Sequence, residues 1–259
     1  MRKIDLLNLT LCLILVLLFV FHMAWYFYIA AILIHLGIIA FAASNIQLNF
    51  FLKAFNSKHQ PAEKTICLTF DDGPDPSYTV QILDVLKQFN TKAAFFVIGH
   101  KIKGNEHILI QMHEEGHLIG NHSFSHSNLF PMKSAGKIVE ELNHTSNLIQ
   151  KATGHFPQSF RPPFGVTNPN IARAIKQLAW NTLGWNIRSL DTKRRSPEVT
   201  LKRVIKQCKP GSVVLFHDNI PETLQVLQQF LVFLNNNNYK IILPDEMFEL
   251  TWYKSNETP

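Results

Sequence analysis

The stretch Lys64-Thr65-Ile66-Cys67-Leu68-Thr69-Phe70-Asp71-Asp72-Gly73-Pro74 decides the fold. Ile66, Leu68 and Phe70 fall two apart on one face, the period of a strand with a buried side. Two carboxylates, a glycine and a proline then end the run in a turn. Residues 77–89 change to a helical period, with Val80, Leu83 and Leu86 three apart. Strand, polar turn and helix form one βα unit, and the pattern recurs along the chain. Residues 93–98 and 118–121 are strand-like, and 107–115 are helical up to Gly116. A longer helix over 134–152 is closed by Gly154, and Phe160 leads into a proline-rich loop. Helix 168–178, strand 181–186, helix 197–208, strand 212–216, helix 222–235 and strand 240–243 complete the series. Pro197 opens its helix at a permitted first-turn position, and the run Asn235-Asn236-Asn237-Asn238 marks a helix stop. Repeated βα units predict an α/β fold with a mostly parallel, barrel-like sheet.

Composition narrows the class. The 259 residues are 46% hydrophobic and only 17% charged, against a usual charged share of about 25%. So apolar a chain excludes long disordered arms. Three cysteines, Cys12, Cys67 and Cys208, in unrelated surroundings exclude a disulfide scaffold. The net charge of +6 fits an anionic polymer or lipid surface, but no basic cluster supports nucleic acid as a partner.

The apolar excess lies at the start. Residues 6–52 hold no Asp, Glu, Lys or Arg, an uncharged run of 47, and one membrane span takes about 20. Two transmembrane helices are expected, over 6–21 and 26–43, with a break near His22–Trp25. Trp25, Tyr26 and Tyr28 stand where an aromatic belt belongs. The run is too long for the apolar region of a cleaved signal peptide. Residues 1–52 are therefore expected to form a membrane anchor, 53–63 a linker, 64–252 the catalytic domain and 253–259 a tail. Arg2, Lys3, Lys53, Lys58 and Lys64 favour a cytoplasmic side for both ends of a hairpin. A single span with an interfacial second helix would export the domain instead.

Ionisable groups collect at the expected strand ends. Asp71 and Asp72 follow the first strand, and His122 and His126 the third. Arg161 precedes a Pro-Pro-Phe-Gly loop, Arg188 and Asp191 follow another strand, and His217-Asp218 end the 212–216 run. In α/β barrels these ends form the active face. His122 and His126 are four apart, which on a helix aims both at one metal. Alone that pair is weak evidence, but a carboxylate from another strand end, Asp72, would complete a hydrolytic site with room for water. Adjacent carboxylates repel unless cations are near; a metal on Asp72 and the Arg161 guanidinium beside Asp71 would relieve this. His217 can exchange a proton near neutral pH, oriented by Asp191 or Asp218.

Taken together, these motifs resemble the polysaccharide deacetylases of carbohydrate esterase family 4. The resemblance runs from about Glu63 to about Leu250 through TFDDGP at 69–74, HSFSH at 122–126, RPPFG at 161–165, a Trp-to-Asp stretch at 185–191 and LFHD at 215–218. It implies a distorted (β/α) barrel and a divalent metal, usually zinc, with Asp72, His122 and His126 as ligands. It implies Asp71 as general base with Arg161 as its charge partner, and His217 as general acid tuned by Asp191. The Phe164 N–H would serve an oxyanion hole, and Leu215 would line the acetyl methyl pocket. The implied reaction removes N-acetyl groups from an N-acetylglucosamine-containing glycan such as peptidoglycan or a chitin-like oligosaccharide, with release of acetate. The partners implied are that glycan and, through the anchor, membrane lipid; the substrate favours an extracytoplasmic domain. One departure stands out: many relatives have Trp where this chain has Thr192, which bears on the acyl pocket. The competing readings are a non-catalytic glycan-binding paralogue and a cytoplasm-facing amidohydrolase on a small or lipid-linked substrate.

Overall fold

The computed structural model of the chain describes residues 3–193 and 196–254. Arg2, which entered the orientation argument, and residues 255–259 of the expected tail lie outside them.

Helices α1 (Lys3–Val20) and α2 (Trp25–Ser44) form an apolar hairpin. Ala42 alone among their described residues is buried, and each helix is long and apolar enough to cross a membrane. The turn between them falls at the break read from His22–Trp25.

The rest of the chain alternates strands and helices: β1 (Thr65–Asp71), α3 (Tyr78–Gln88), β2 (Ala94–Val97), α4 (Glu106–Glu114), β3 (Leu118–Asn121), α5 (Ala135–Thr153), β4 (Ser159–Phe160), α6 (Pro169–Leu178), β5 (Asn181–Thr182), β6 (Ile187–Arg188), α7 (Pro197–Gln207), β7 (Ser212–His217), α8 (Pro221–Asn236), β8 (Lys240–Ile241) and α9 (Pro244–Phe248). Local chemistry sets several boundaries. Ser134 caps α5 by accepting from the Lys137 N–H, Asn168 caps α6 by accepting from Asn170 and Ile171, and Ser196 caps α7.

All strand pairs are parallel, in the order β5-β4-β3-β2-β1-β7-β6, with β8 beside the start of β1. The curled sheet is a distorted (β/α) barrel; among the described residues β5 and β6 do not pair. Alternation along β1 divides the core. Ile66, Leu68 and Phe70 face the helix layer with Leu83, Leu86 and Phe230, while Cys67 faces the barrel interior with Val213, Leu215 and Trp185.

Of the strand expected over 181–186 only β5 forms, and β6 follows just beyond it. The carbonyls of Leu183 and Gly184, between them, accept hydrogen bonds from the Arg161 guanidinium, so this backbone serves a buried charge instead of a ladder. Residues 54–58, in the stretch expected as a linker, run from the end of β5 to the start of β7. Phe55 bridges Leu183, Ser57 bridges Ser212, and the Lys58 N–H donates to Gly211.

Parallel strands bring their carboxyl ends to one edge. Register places Asp71 beside His217 and Phe96, and Asn121 beside Phe160, so residues 71, 122, 161 and 217 leave the sheet at nearly one height.

Candidate active site and metal centre

Asp71 ends β1 and points into the barrel. Arg161, one residue past β4, threads through the interior to reach it. Its Nη1 donates to Asp71 Oδ1 at 2.7 Å and to Thr69 Oγ1 at 2.9 Å, while Nε and Nη2 donate to the Leu183 and Gly184 carbonyls. The guanidinium is fully buried and lies 4.3 Å from the Phe96 ring centroid and 5.5 Å from that of Trp185, a desolvated cation against aromatic faces. Burial pushes the Asp71 carboxyl above its usual range, and the Arg161 and His217 charges pull against that shift. Oδ1 is held by Arg161, while Oδ2 lies 3.7 Å from His122 Nε2.

Asp72 turns the other way, in a left-handed conformation at φ 79°. Its backbone carbonyl accepts from Lys101 Nζ at 2.8 Å. Gly73 follows because the Asp218 carboxylate packs against it; a Cβ there would meet Asp218 Oδ2 at 2.1 Å. Asp218 itself is buried, bonded to Thr79 Oγ1, and pushed up to about 7 mainly by burial.

The two histidines are brought together by a tight turn and not by a helix, contrary to the helical geometry that the four-residue spacing invited. Asn121 Oδ1 accepts from the Ser123 N–H, and Ser123 Oγ from the His126 N–H. Glu141 Oε1 accepts from the Phe124 and Ser125 N–H groups and the Ser125 hydroxyl. Those bonds hold Ser123 at φ 66° and His126 at φ 45°, which a helix would forbid.

The result is a cluster of three donors. Asp72 Oδ1 lies 3.6 Å from His122 Nε2 and 3.4 Å from His126 Nε2, and among the described residues this is the one group of three or more such donors placed to share an ion. Its chemistry fits a divalent metal. Asp72 Oδ1 is buried and has no hydrogen-bond partner. His122 Nδ1 sits 2.8 Å from the Arg161 carbonyl, so Nδ1 carries the proton and Nε2 turns its lone pair to the cluster, the arrangement that orients a metal-binding imidazole. Burial lowers the His122 pKa to about 3, keeping the ring neutral. One carboxylate and two imidazoles suit zinc and similar ions, with positions left open.

His217, at the end of β7, stands across from Asp71. Its Nδ1 lies 2.7 Å from Asp191 Oδ1, and Asp191 Oδ2 accepts from the His217 backbone N–H and from Thr223 Oγ1. Of the two carboxylates weighed as its partner, Asp191 holds that place. Burial alone would lower the imidazole pKa, but the Asp191 bond and charge, with Asp71 and Asp72, outweigh it and hold it at about 9. The same pairing keeps Asp191 below the usual carboxylate range against the effect of burial.

A pocket of about 220 Å³ opens over these groups. Asp71, Asp72, His122, His126, Phe164, Leu215 and His217 line it, with Gly165, Trp185, Arg188 and Thr192. Arg161 and Asp191 stand behind Asp71 and His217. Phe164 is at φ 59°, its ring 4.6 Å from that of His126. Sequence reading did not single out Glu141, Lys101 or Thr223. All three lie on or beside helices, where nothing in the local pattern separates them from solvent-facing polar residues.

Comparison with known proteins places the chain. The family model described as polysaccharide deacetylase matches residues 58–183. The peptidoglycan-N-acetylmuramic acid deacetylase PdaA of Bacillus subtilis is 33% identical over 78% of this chain and 80% of its own length. Its solved structure has a TM-score of 0.71, covering 78% of this chain and 89% of that one. The peptidoglycan-N-acetylglucosamine deacetylase PgdA of Listeria monocytogenes is 32% identical over 80% of this chain, which spans 44% of that longer protein. BA3943 of Bacillus anthracis, described as a CE4 family pseudoenzyme, is 29% identical with a TM-score of 0.68, covering 74% of this chain and 67% of that one. With the fold, the ordered motifs and these likenesses, the chain belongs to the polysaccharide deacetylase family, the amide-cleaving hydrolases of carbohydrate esterase family 4.

Proposed function

We propose that the protein hydrolyses the N-acetyl amide of an N-acetylated glycan, peptidoglycan or a chitin-like oligosaccharide, releasing acetate and leaving a free amine on the sugar. The observation that carries this reading is the buried, unpaired Asp72 Oδ1 between two imidazole nitrogens, with a second carboxylate beside it in an open pocket. Asp72, His122 and His126 would hold a divalent ion, zinc by donor type, which when bound acidifies water and polarises the amide carbonyl. Asp71 takes the proton from the attacking water through Oδ2, since Arg161 occupies Oδ1. The Phe164 N–H steadies the tetrahedral oxyanion; loss of one such donor costs about 3 kcal/mol in other enzymes. His217, with Nδ1 committed to Asp191, presents protonated Nε2 to the leaving nitrogen. Leu215 and Trp185, both in the pocket lining, supply the apolar wall for the acetyl methyl.

The similar proteins are named for N-acetylmuramic acid and for N-acetylglucosamine at almost equal identity, so both sugars belong in the test. The similarity to a pseudoenzyme favours a non-catalytic reading; the complete set of ligand, base and acid side chains supports the catalytic one. Acetate release from chitin oligomers and from peptidoglycan is expected, abolished by chelation and restored by zinc or cobalt. No acetate from either substrate with zinc present would refute the proposal.

We further propose that α1 and α2 span the bilayer; their 18 and 20 residues give about 27 and 30 Å at 1.5 Å per residue, the thickness of its hydrocarbon core. The substrate places the domain outside the cytoplasm, against the pull of Lys3, Lys53, Lys58 and Lys64. A periplasm-active reporter fused after Pro259 is expected to be active, and an inactive one reverses the assignment.

A further inference from the structure

The anchor meets the rest of the molecule at the catalytic edge. The Thr167 N–H donates to the carbonyl of Ala43, near the end of α2, at 2.9 Å. Thr167 follows Phe164 by three residues, so at 3.8 Å per Cα step the two are within about 11 Å. The side chains of Asn168 and Asn170 donate to the carbonyls of Pro131 and Lys133. The loop that leaves the metal motif after His126 is thus tied to the same point as the helix end. At the start of α1, Lys3 Nζ donates to the Leu48 carbonyl at 2.9 Å, and Ile4 walls a cleft of about 560 Å³ against α6. Lys3 and Ser44 are the same end of an antiparallel pair. A bilayer spanned by that pair has one of its headgroup levels there.

The surface at that level suits a headgroup layer. Leu129 is 68% exposed and Met132 79%, both on the loop that is tied to Asn168 and Asn170, and Phe164, 42% exposed, lines the pocket. Lys53, Arg173 and Lys176 are exposed around the cleft. Apolar tips flanked by cations insert shallowly and meet lipid phosphates. Continuity with the helix ends selects lipid as the occupant of this face.

We infer that the mouth of the pocket rests on the bilayer, with Leu129 and Met132 inserted, and that its substrate is an N-acetylated saccharide carried on a membrane lipid. The inference rests on the deacetylase and membrane-span readings above and narrows them to a substrate class. A sugar attached to a lipid headgroup lies at the height of the pocket and is confined to the plane that the enzyme shares. That confinement raises its effective concentration with no new contact in the site.

The test uses the full chain, zinc-loaded, in lipid nanodiscs. One substrate is soluble N-acetylchitotetraose, and the other is the same tetrasaccharide coupled through a phosphate to a dialkyl lipid in the disc. The lipid-coupled form is expected to show kcat/KM at least tenfold higher. The double variant Leu129→Asp, Met132→Asp, altered only at exposed positions, should lose that advantage while its rate on the soluble form is unchanged. Equal kcat/KM for the two substrates, or an advantage that survives in the variant, overturns the inference. Docking has its own readout. In a Met132→Trp variant the added fluorescence should be quenched by lipids brominated near the headgroup, and an unquenched signal overturns the docking surface. Quenching without acetate from either substrate would support the surface and sink the deacetylase reading together with the substrate class built on it.

Discussion

Arg161 carries a full charge into a place without water, and its surroundings explain why. Its guanidinium donates to two backbone carbonyls, the Thr69 hydroxyl and the Asp71 carboxylate, with the aromatic rings of Phe96 and Trp185 nearby. A buried pair of this kind is a poor source of stability; in the proposed mechanism it fixes one oxygen of Asp71 and leaves the other for chemistry. His217 depends on its partner in the same way. Its pKa of about 9 keeps it cationic at neutral pH, and the general acid proposed for this residue works only while protonated. Activity should therefore fall as pH rises through about 9. Asp191→Asn keeps an acceptor for Nδ1 but removes the charge, leaving burial to pull the imidazole down toward or below its ordinary 6.5. The alkaline limb of the kcat/KM profile should move down by about two pH units, with the rate at pH 8 hit far harder than at pH 6. A limb that stays in place would remove His217 from the role of acid.

At the scale of elements, the segment from β3 to α5 shows what a sequence can and cannot reveal. The apolar alternation of β1, the helical period of α3 and the Gly154 stop of α5 are local signals, and the structure follows them. The fold was legible because each βα unit repeats such signals. The path between His122 and His126 was not, because it is set by Glu141, a residue 15 positions beyond His126 on a different element. In sequence Glu141 is one more polar residue of an amphipathic helix. The strand expected over 181–186 stops after Thr182 for a similar reason: the Leu183 and Gly184 carbonyls answer to Arg161, a contact across the barrel. Candidate site residues could be picked out because strand ends gather ionisable groups, whereas the residues that hold them lie where long-range packing decides. Glu141→Gln retains one acceptor oxygen but loses the charge that also pairs with Lys133. Two non-glycine residues in left-handed conformations each cost about 1–3 kcal/mol and depend on that brace. The variant should stay folded and bind zinc about 10–100-fold more weakly, the usual cost of losing an outer support. Competition against a chelating dye measures it, and unchanged affinity would mean the turn holds itself.

At the scale of the whole molecule, the question is where the catalytic unit begins. A boundary before residue 64 treats the preceding stretch as a tether, yet Ile46 is buried against the cluster of Trp185 and Leu215, which line the pocket, and Ala54 is buried with it. Phe55 bridges Leu183 just past β5 and Ser57 bridges Ser212 at the start of β7, and three backbone bonds, from Phe55, Lys58 and Gly184, tie the segment down. Burying an isoleucine contributes about 1.5–3 kcal/mol, and each hydrogen bond about 0.5–1.5 kcal/mol net. The segment is thus worth on the order of 5 kcal/mol, against a total of about 5–15 for a typical domain. Two truncations separate the possibilities. Removal of residues 1–44 takes away the hairpin and leaves Ile46 to Lys58 in place, so a soluble, folded protein is expected. Removal of residues 1–60 should lower the Tm by about 10–20 °C relative to the shorter truncation, at roughly 2–4 °C per kcal/mol for a domain of this size. It should also reduce turnover, because the floor under Trp185 and Leu215 is lost. Equal melting temperatures for the two would restore the boundary to residue 64 and make the segment a tether after all.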